Sequence, residues 1–259
     1  MAFRDIFRVT RQTRILLIFL VCISATGILI AWLYYSSKNR SEDPRVIGAR
    51  FKLVEFDRMM KGHRYPEALL ILDTVNTIYE NTAGYRGSFE SGVIFNNRCS
   101  VYLSMALYDS LTPAEEKENL LRLAEENVQK SISIYEAWID SAGKLTKDQI
   151  KKNITPWFRE NDPGLKGRII GRIIEKRVQD IIFAQTETPR RLSVSYTNLG
   201  IIQRHQYRQE EAAQSYIKAI SLWKDNFTAR NNFNVLMGKP PEDRSIVDKL
   251  FPPERLKTN

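Results

Sequence analysis

The sequence is poor in the residues that carry most site chemistry. Cys22 and Cys99 are the only cysteines. Cys22 lies in an apolar run, so Cys99 stands alone in the polar part, which excludes an internal disulfide framework and a thiolate metal cluster. Set among apolar residues at helical spacing, Cys99 reads as a buried structural thiol. His63 and His205 are the only histidines. Neither has a second histidine or cysteine at metal-ligand spacing, and both read as exposed residues of a turn between helices. No Gly-x-Ser-x-Gly elbow, Walker-type loop or GxGxxG after a strand is present, and Cys99 has no base partner in sequence. Gly164-Leu165-Lys166-Gly167 is too short, and lacks the strand, to cradle a phosphate. The pairs Glu115-Glu116, Glu125-Glu126 and Glu210-Glu211 read as solvated charges or helix-dipole partners. Neither catalysis nor a cofactor or metal is expected.

Glycine (12) and proline (10) are also sparse, which argues against a turn-rich β fold. What is present suits a folded chain. A length of 259 residues accommodates one domain and an appendage, and 10% aromatic residues exclude disorder over most of the length.

Residues Ile15 to Tyr35 read ILLIFLVCISATGILIAWLYY, without a charge. At ~1.5 Å per residue this run spans the ~30 Å hydrocarbon layer of a bilayer. Trp32, Tyr34 and Tyr35 gather at its far end, where amphipathic rings prefer the lipid–water boundary. A cleaved signal peptide has a shorter core and a small-x-small site. Phe19-Leu20-Val21-Cys22 loosely resembles a lipobox, but Val21 is not small and the apolar run continues beyond Cys22. An uncleaved transmembrane helix is the expectation. Residues 1–14 form a basic arm with Arg4, Arg8, Arg11 and Arg14; Lys38, Arg40, Arg45 and Arg50 follow the run. The closer packing of the first four favours a cytoplasmic N-terminus and an extracytoplasmic domain in a plasma or inner membrane.

After a polar linker (36–44), apolar residues recur at helical spacing through residue 239, and a polar tail (240–259) follows. In the clearest block, Tyr196, Leu199 and Gly200 form an aromatic-x-x-Leu-Gly element. Ala212, Tyr216 and Ala219 form an Ala-x-x-x-aromatic-x-x-Ala element. Ile220 and Leu222 follow, and Asp225-Asn226 falls where a turn belongs. This block, 193–226, resembles the tetratricopeptide repeat, a helix–turn–helix unit of about 34 residues. Gln203 departs from it where an aromatic is usual, and Lys224 replaces the turn proline. Ala229, Asn232 and Phe233 look like the start of a capping helix.

Weaker units follow the same pattern. In 50–80, Gly62, Tyr65, Ala68, Leu72 and Val75 copy its second half. In 92–138, Ala124, Val128 and Ser131 occupy the family positions, with Ile132 and Ile134 after them, and Pro113 sits in the first turn. A helix pair cannot bury its apolar face alone, so such units stack. The fold class implied is all-α: an N-terminal transmembrane helix followed by a TPR-like α-solenoid of stacked hairpins over 45–239. The resemblance also implies a concave groove for a protein or peptide partner, with Asn198, Ile202 and Gln203 as candidates to face it. Self-association in a cell-envelope assembly is the alternative role.

Residues 141–188 fit the repeat poorly and read as a basic helical insertion. Ile169, Ile170, Ile173, Ile174, Val178, Ile181 and Ile182 form its apolar stripe. Lys144 to Arg191 holds 12 Lys/Arg against 6 Asp/Glu, +6 of the overall +9. Such a face is solvated or meets an acidic protein or anionic lipid. Nucleic acid is not expected as a partner, because the aromatic interleaving that stacks single-stranded bases is missing. The sequons at Asn39, Asn153 and Asn226 occur at chance frequency.

Overall fold

The computed structural model describes residues 11–109 and 112–242, with the side chains of 33–40 and of Ala114 outside that set. Arg4 and Arg8 of the basic arm, the side chains of Tyr34, Tyr35, Lys38 and Arg40, and tail residues 243–259 therefore lie outside the described residues. Among the described residues the regular structure is helical, with no strand. The helices are α1 (Arg11–Ser41), α2 (Pro44–Lys61), α3 (Tyr65–Glu80), α4 (Phe89–Tyr108), α5 (Ala114–Ala142), α6 (Lys147–Ile154), α7 (Ile170–His205), α8 (Gln209–Leu222) and α9 (Phe227–Leu236).

Helix α1 is long and apolar enough over Arg11–Trp32 to cross a membrane, and none of that window is buried in the protein. It does not stop where the apolar run stops. The 36–44 stretch expected as a linker is helical through Ser41, leaving only Glu42 and Asp43 before α2. Polar composition suggested a linker, yet neither glycine nor proline interrupts the backbone until Pro44. There Asp43 caps α2, its carboxylate accepting from the Arg45 amide at 3.0 Å with Pro44 in the first turn.

Three consecutive helix pairs pack as hairpins: α2 with α3, α4 with α5, and the C-terminal half of α7 with α8. Neighbouring pairs touch through α3–α4 and α5–α7, and α9 packs on α8. Two of the connecting turns are the same turn made from different residues. In the first, Gly62 (φ −90°, ψ 6°), His63 (φ 56°) and Arg64 (φ −90°, ψ 67°) link α2 to α3. In the second, Gln206 (φ −92°, ψ 11°), Tyr207 (φ 63°) and Arg208 (φ −90°, ψ 69°) link α7 to α8. Each is closed by an amide reaching back over the helix end, Arg64 N to Met59 O (2.9 Å) and Arg208 N to Gln203 O (2.8 Å).

The 141–188 insertion is not a unit. It splits into the end of α5, then α6, two 3-10 turns (Thr155–Trp157 and Pro163–Leu165), and the first half of α7. The repeat boundary at residue 193 falls inside that 36-residue helix, which runs through Pro189. Pro189 has no amide proton for the Gln185 carbonyl. Burial of Ile181, Ala184 and Leu192 on either side holds the helix together across the gap.

The core has two parts. One lies between α2, α3 and α4 and includes Phe56, Ala68, Leu72, Val75 and Ile94. The other joins α4 to α8 and includes Cys99, Val128, Tyr135, Val178 and Ile202. Most of the predicted isoleucine stripe lies in the second, but Ile169 is 56% exposed.

Candidate partner-binding surface

The hairpin α7–α8 is built around a glycine. Gly200 is buried against the ring of Tyr216, and a Cβ added to it would come within 3.0 Å of that ring. Ala212, Tyr216 and Ala219 are all 0% exposed. Small residues on one helix thus let the other seat a large ring, which is how two backbones approach closely. Tyr196 and Leu199 are half-buried. The Tyr196 hydroxyl donates to Glu136 of α5 at 2.7 Å, and burial together with that bond pushes the phenol up to about 12.

The hairpin α4–α5 contains the same clasp. A Cβ on Gly92 would run into the Tyr135 ring within 3.0 Å. Gly92 therefore corresponds to Gly200, and the pair Ser131-Tyr135 to the pair Ala212-Tyr216. The sequence reading put Ala124, Val128 and Ser131 at these positions, seven residues too early. All three are buried, but the clasp sits two helical turns later, at Ser131 and Tyr135.

Of the three residues expected to face a partner, two do not. Ile202 is 0% and Gln203 6% exposed. Gln203 is occupied within its own hairpin, its Oε1 accepting from Ser215 Oγ at 2.7 Å. Where the resemblance leads one to expect an aromatic, the hairpin holds a buried hydrogen bond. Asn198 is half-buried, and its Nδ2 donates to Asn96 Oδ1 of α4 at 3.1 Å. The same Asn96 oxygen accepts from Ser195 Oγ at 3.0 Å, and Ser195 Oγ lies 3.1 Å from Ser131 Oγ. Ser131 in turn donates to the Gly92 carbonyl at 2.8 Å. Three helices from two hairpins are thereby joined by uncharged groups that bond one another, with Asn96 and Asn198 half-buried at the edge.

A second cluster is charged and lies where α1 meets the domain. Arg45 donates to Asp43 (2.8 Å), to Asp162 (2.9 Å) and to the Trp157 carbonyl (3.0 Å), and sits over the Phe158 ring. Burial works against the Arg45 charge, but the two carboxylates outweigh it and hold its pKa up. Arg50 bridges Glu42 and Asp180, and Lys176 pairs with the same two acids. Deeper still, Arg177 is 2% exposed and pairs with Glu90 of α4, with its guanidinium 4.0 Å over Tyr85. Nothing in the sequence pointed to this cluster, because its partners are up to 130 residues apart. Its Lys176 and Arg177 belong to the segment read as basic, so part of that positive charge is neutralised internally.

The remaining titrating groups offer little chemistry. Cys99 is 0% exposed, and burial pushes its thiol up, away from the reactive thiolate. His63 Nδ1 lies 2.9 Å from the Tyr65 hydroxyl, on the turn. His205 is the last residue of α7; burial and the neighbouring Arg204 hold its pKa below the ordinary imidazole value. Among the described residues no three His, Cys, Asp or Glu side chains are placed to hold a metal ion. Glu210 and Glu211 sit in the first turn of α8, as Glu115 and Glu116 do in α5. Comparison with family models, with curated proteins and with solved structures finds no match in any of the three.

Proposed function

We propose that the chain is a membrane-tethered scaffold of tetratricopeptide type that binds another protein and performs no catalysis. The observation that carries this reading is the repeated clasp, Gly92 on Tyr135 and Gly200 on Tyr216. The repeated left-handed turn at His63 and Tyr207 supports it. Helix pairs that share a seam stack into a curved array with an extended inner surface. The first helices of the pairs, α2, α4 and the end of α7, line that surface in the resemblance. Asn96 and Asn198, at the edge of the α4–α7 junction, are the polar groups offered there to a partner's backbone.

The tether is α1, placed in a plasma or inner membrane with the N-terminus cytoplasmic and the helical domain on the other side. The test is affinity capture of the full chain from detergent-solubilised membranes, beside a control carrying α1 alone. A protein enriched by the full chain, and released by Asn198→Ala or Asn96→Ala, supports the reading. Capture indistinguishable from the control removes it. A reporter fused at the C-terminus tests the topology.

A second reading rests on α2. Its Phe51 and Val54 are 72% and 64% exposed. An apolar face of that kind at the end of a stack suits a second copy of the chain in an envelope assembly. Light scattering on the detergent-solubilised protein separates the two, since a strict monomer leaves only the first.

A further inference from the structure

Residues 152–172 run from the end of α6 into the start of α7, and their exposed side chains share a chemistry. Lys152, Arg159, Lys166, Arg168 and Arg172 are exposed, with Trp157 40% and Ile169 56% exposed among them. Lys152, Lys166, Arg168 and Arg172 make no ion pair among the described residues, whereas Lys147 and Lys151 nearby both pair with Glu175. Over 144–172 there are eight Lys/Arg against three Asp/Glu. One of those acids, Asp162, is taken by Arg45.

The position of this segment gives the charges a meaning. Arg45, four residues beyond the end of α1, holds the Trp157 carbonyl and Asp162, and its stem packs beside Gly164. Lys176, at the start of the helix that follows, pairs with Glu42 at the α1–α2 junction. The segment is thus fastened to the foot of the membrane helix. Past Tyr35, α1 continues for six residues to Ser41, a rise of about 9 Å at ~1.5 Å per residue. The headgroup layer on each side of a bilayer is about 5–7 Å thick. The foot of the domain therefore lies at the outer edge of the headgroup layer, where extended Lys and Arg side chains reach the lipid phosphates and an indole can lean towards the boundary it prefers.

The geometry points to a second membrane contact: Lys152, Arg159, Lys166, Arg168 and Arg172 grip anionic phospholipid headgroups, with Trp157 and Ile169 dipping between them. This rests on α1 spanning the bilayer, and it goes further, because it fixes how the domain lies on the surface. A groove held at a set tilt meets membrane-bound partners with part of the orientational cost already met.

Trp32 and Trp157 allow the anchor and the collar to be read separately. The full chain is placed in nanodiscs of brominated phosphatidylcholine, with or without a third of brominated phosphatidylglycerol, and tryptophan quenching is recorded. Subtracting the Trp32→Phe and Trp157→Phe variants isolates each indole. The expected result is Trp32 quenched in both lipids and Trp157 quenched only with phosphatidylglycerol. The Trp157 quenching should be lost in 0.5 M salt, where screening shortens to roughly 4 Å. Arg168→Gln and Arg172→Gln should each weaken it by about five-fold. Both positions are exposed, so an unchanged thermal midpoint serves as the folding control. Trp32 quenched with Trp157 untouched in either lipid overturns the collar and leaves the anchor, assigning the cations to a soluble acidic partner. Trp157 quenched equally in both lipids overturns it too, since no headgroup charge is then involved. If neither indole is quenched, the membrane reading and the collar fall together.

Discussion

Gly200 lies directly under the ring of Tyr216, so close that one added methyl group would overlap it. Exchanging Gly200 for alanine should therefore destabilise the domain, although alanine is the better helix former by about 1 kcal/mol. Overpacking a filled site costs about 1–3 kcal/mol, so the net loss is at most about 2 kcal/mol, and Gly92→Ala behaves alike. Urea unfolding measures it. The effect should shrink in the Tyr216→Leu background, where the ring is gone. Tyr216→Phe, which keeps the ring and removes only a buried hydroxyl without a partner, should be near neutral and should not rescue Gly200→Ala.

Arg177 and Glu90 form a pair inside the protein, with side chains 2% and 13% exposed. Removing one member strands the other charge. Glu90→Ala should cost about 3–5 kcal/mol. The double variant Glu90→Met with Arg177→Met should recover most of it. If the double variant is no better than the single one, the cost comes from lost packing against Tyr85 and not from an unpaired charge.

Tyr207 holds a left-handed backbone (φ 63°) with its side chain 89% exposed. Glycine takes this conformation without strain, and the exposed ring has little packing to lose. Tyr207→Gly should be neutral or stabilising by up to about 1 kcal/mol. Tyr207→Val should be destabilising, since a β-branched residue is least tolerated there. The two variants are compared by thermal midpoint.

Asn226 is 3% exposed and caps α9, its Oδ1 accepting from the Ala229 amide at 3.0 Å. Its Nδ2 donates to Ser193 Oγ (2.8 Å) and Thr197 Oγ1 (2.9 Å) of α7. Asn226→Ala removes both functions and should cost about 1–3 kcal/mol. Hydrogen exchange should rise first in α9, the element held most directly by that side chain.

His205 has its pKa lowered, by burial first and by Arg204 second. A depressed imidazole takes up its proton less readily folded than unfolded, so the unfolded chain binds more protons around the ordinary value near 6.5. Its contribution is fully present above that value and is lost as pH falls through it towards the folded pKa. Urea midpoints should decline over that interval, and the His205→Gln variant should show a flatter profile.

The sequence carried the local contacts and lost the distant ones. Gly200, Ala212, Tyr216 and Ala219 are all buried, because their spacing within one hairpin states which faces meet. In α5 the same logic slipped. Ala124, Val128, Ser131, Tyr135 and Trp138 repeat at steps of four and three over a 29-residue helix, so a shift of seven leaves the pattern unchanged. Only Gly92 on the opposite helix fixes the register. The resemblance puts Ile202 and Gln203 in a groove, but their burial depends on how α8 covers α7. The Arg177–Glu90 pair and the Arg45 cluster join residues far apart in the chain, and no periodicity reports such neighbours.

Between Ser41 and Pro44 only Glu42 and Asp43 separate the long apolar helix α1 from the domain. Arg50 and Lys176 hold the first, and Arg45 holds the second. A flexible leash would let the domain wander independently of its root. A coupling this short, with both links clamped, turns rod and domain into a lever: any roll or lean of the rod swings the far end of the domain, and a load on the domain twists the rod.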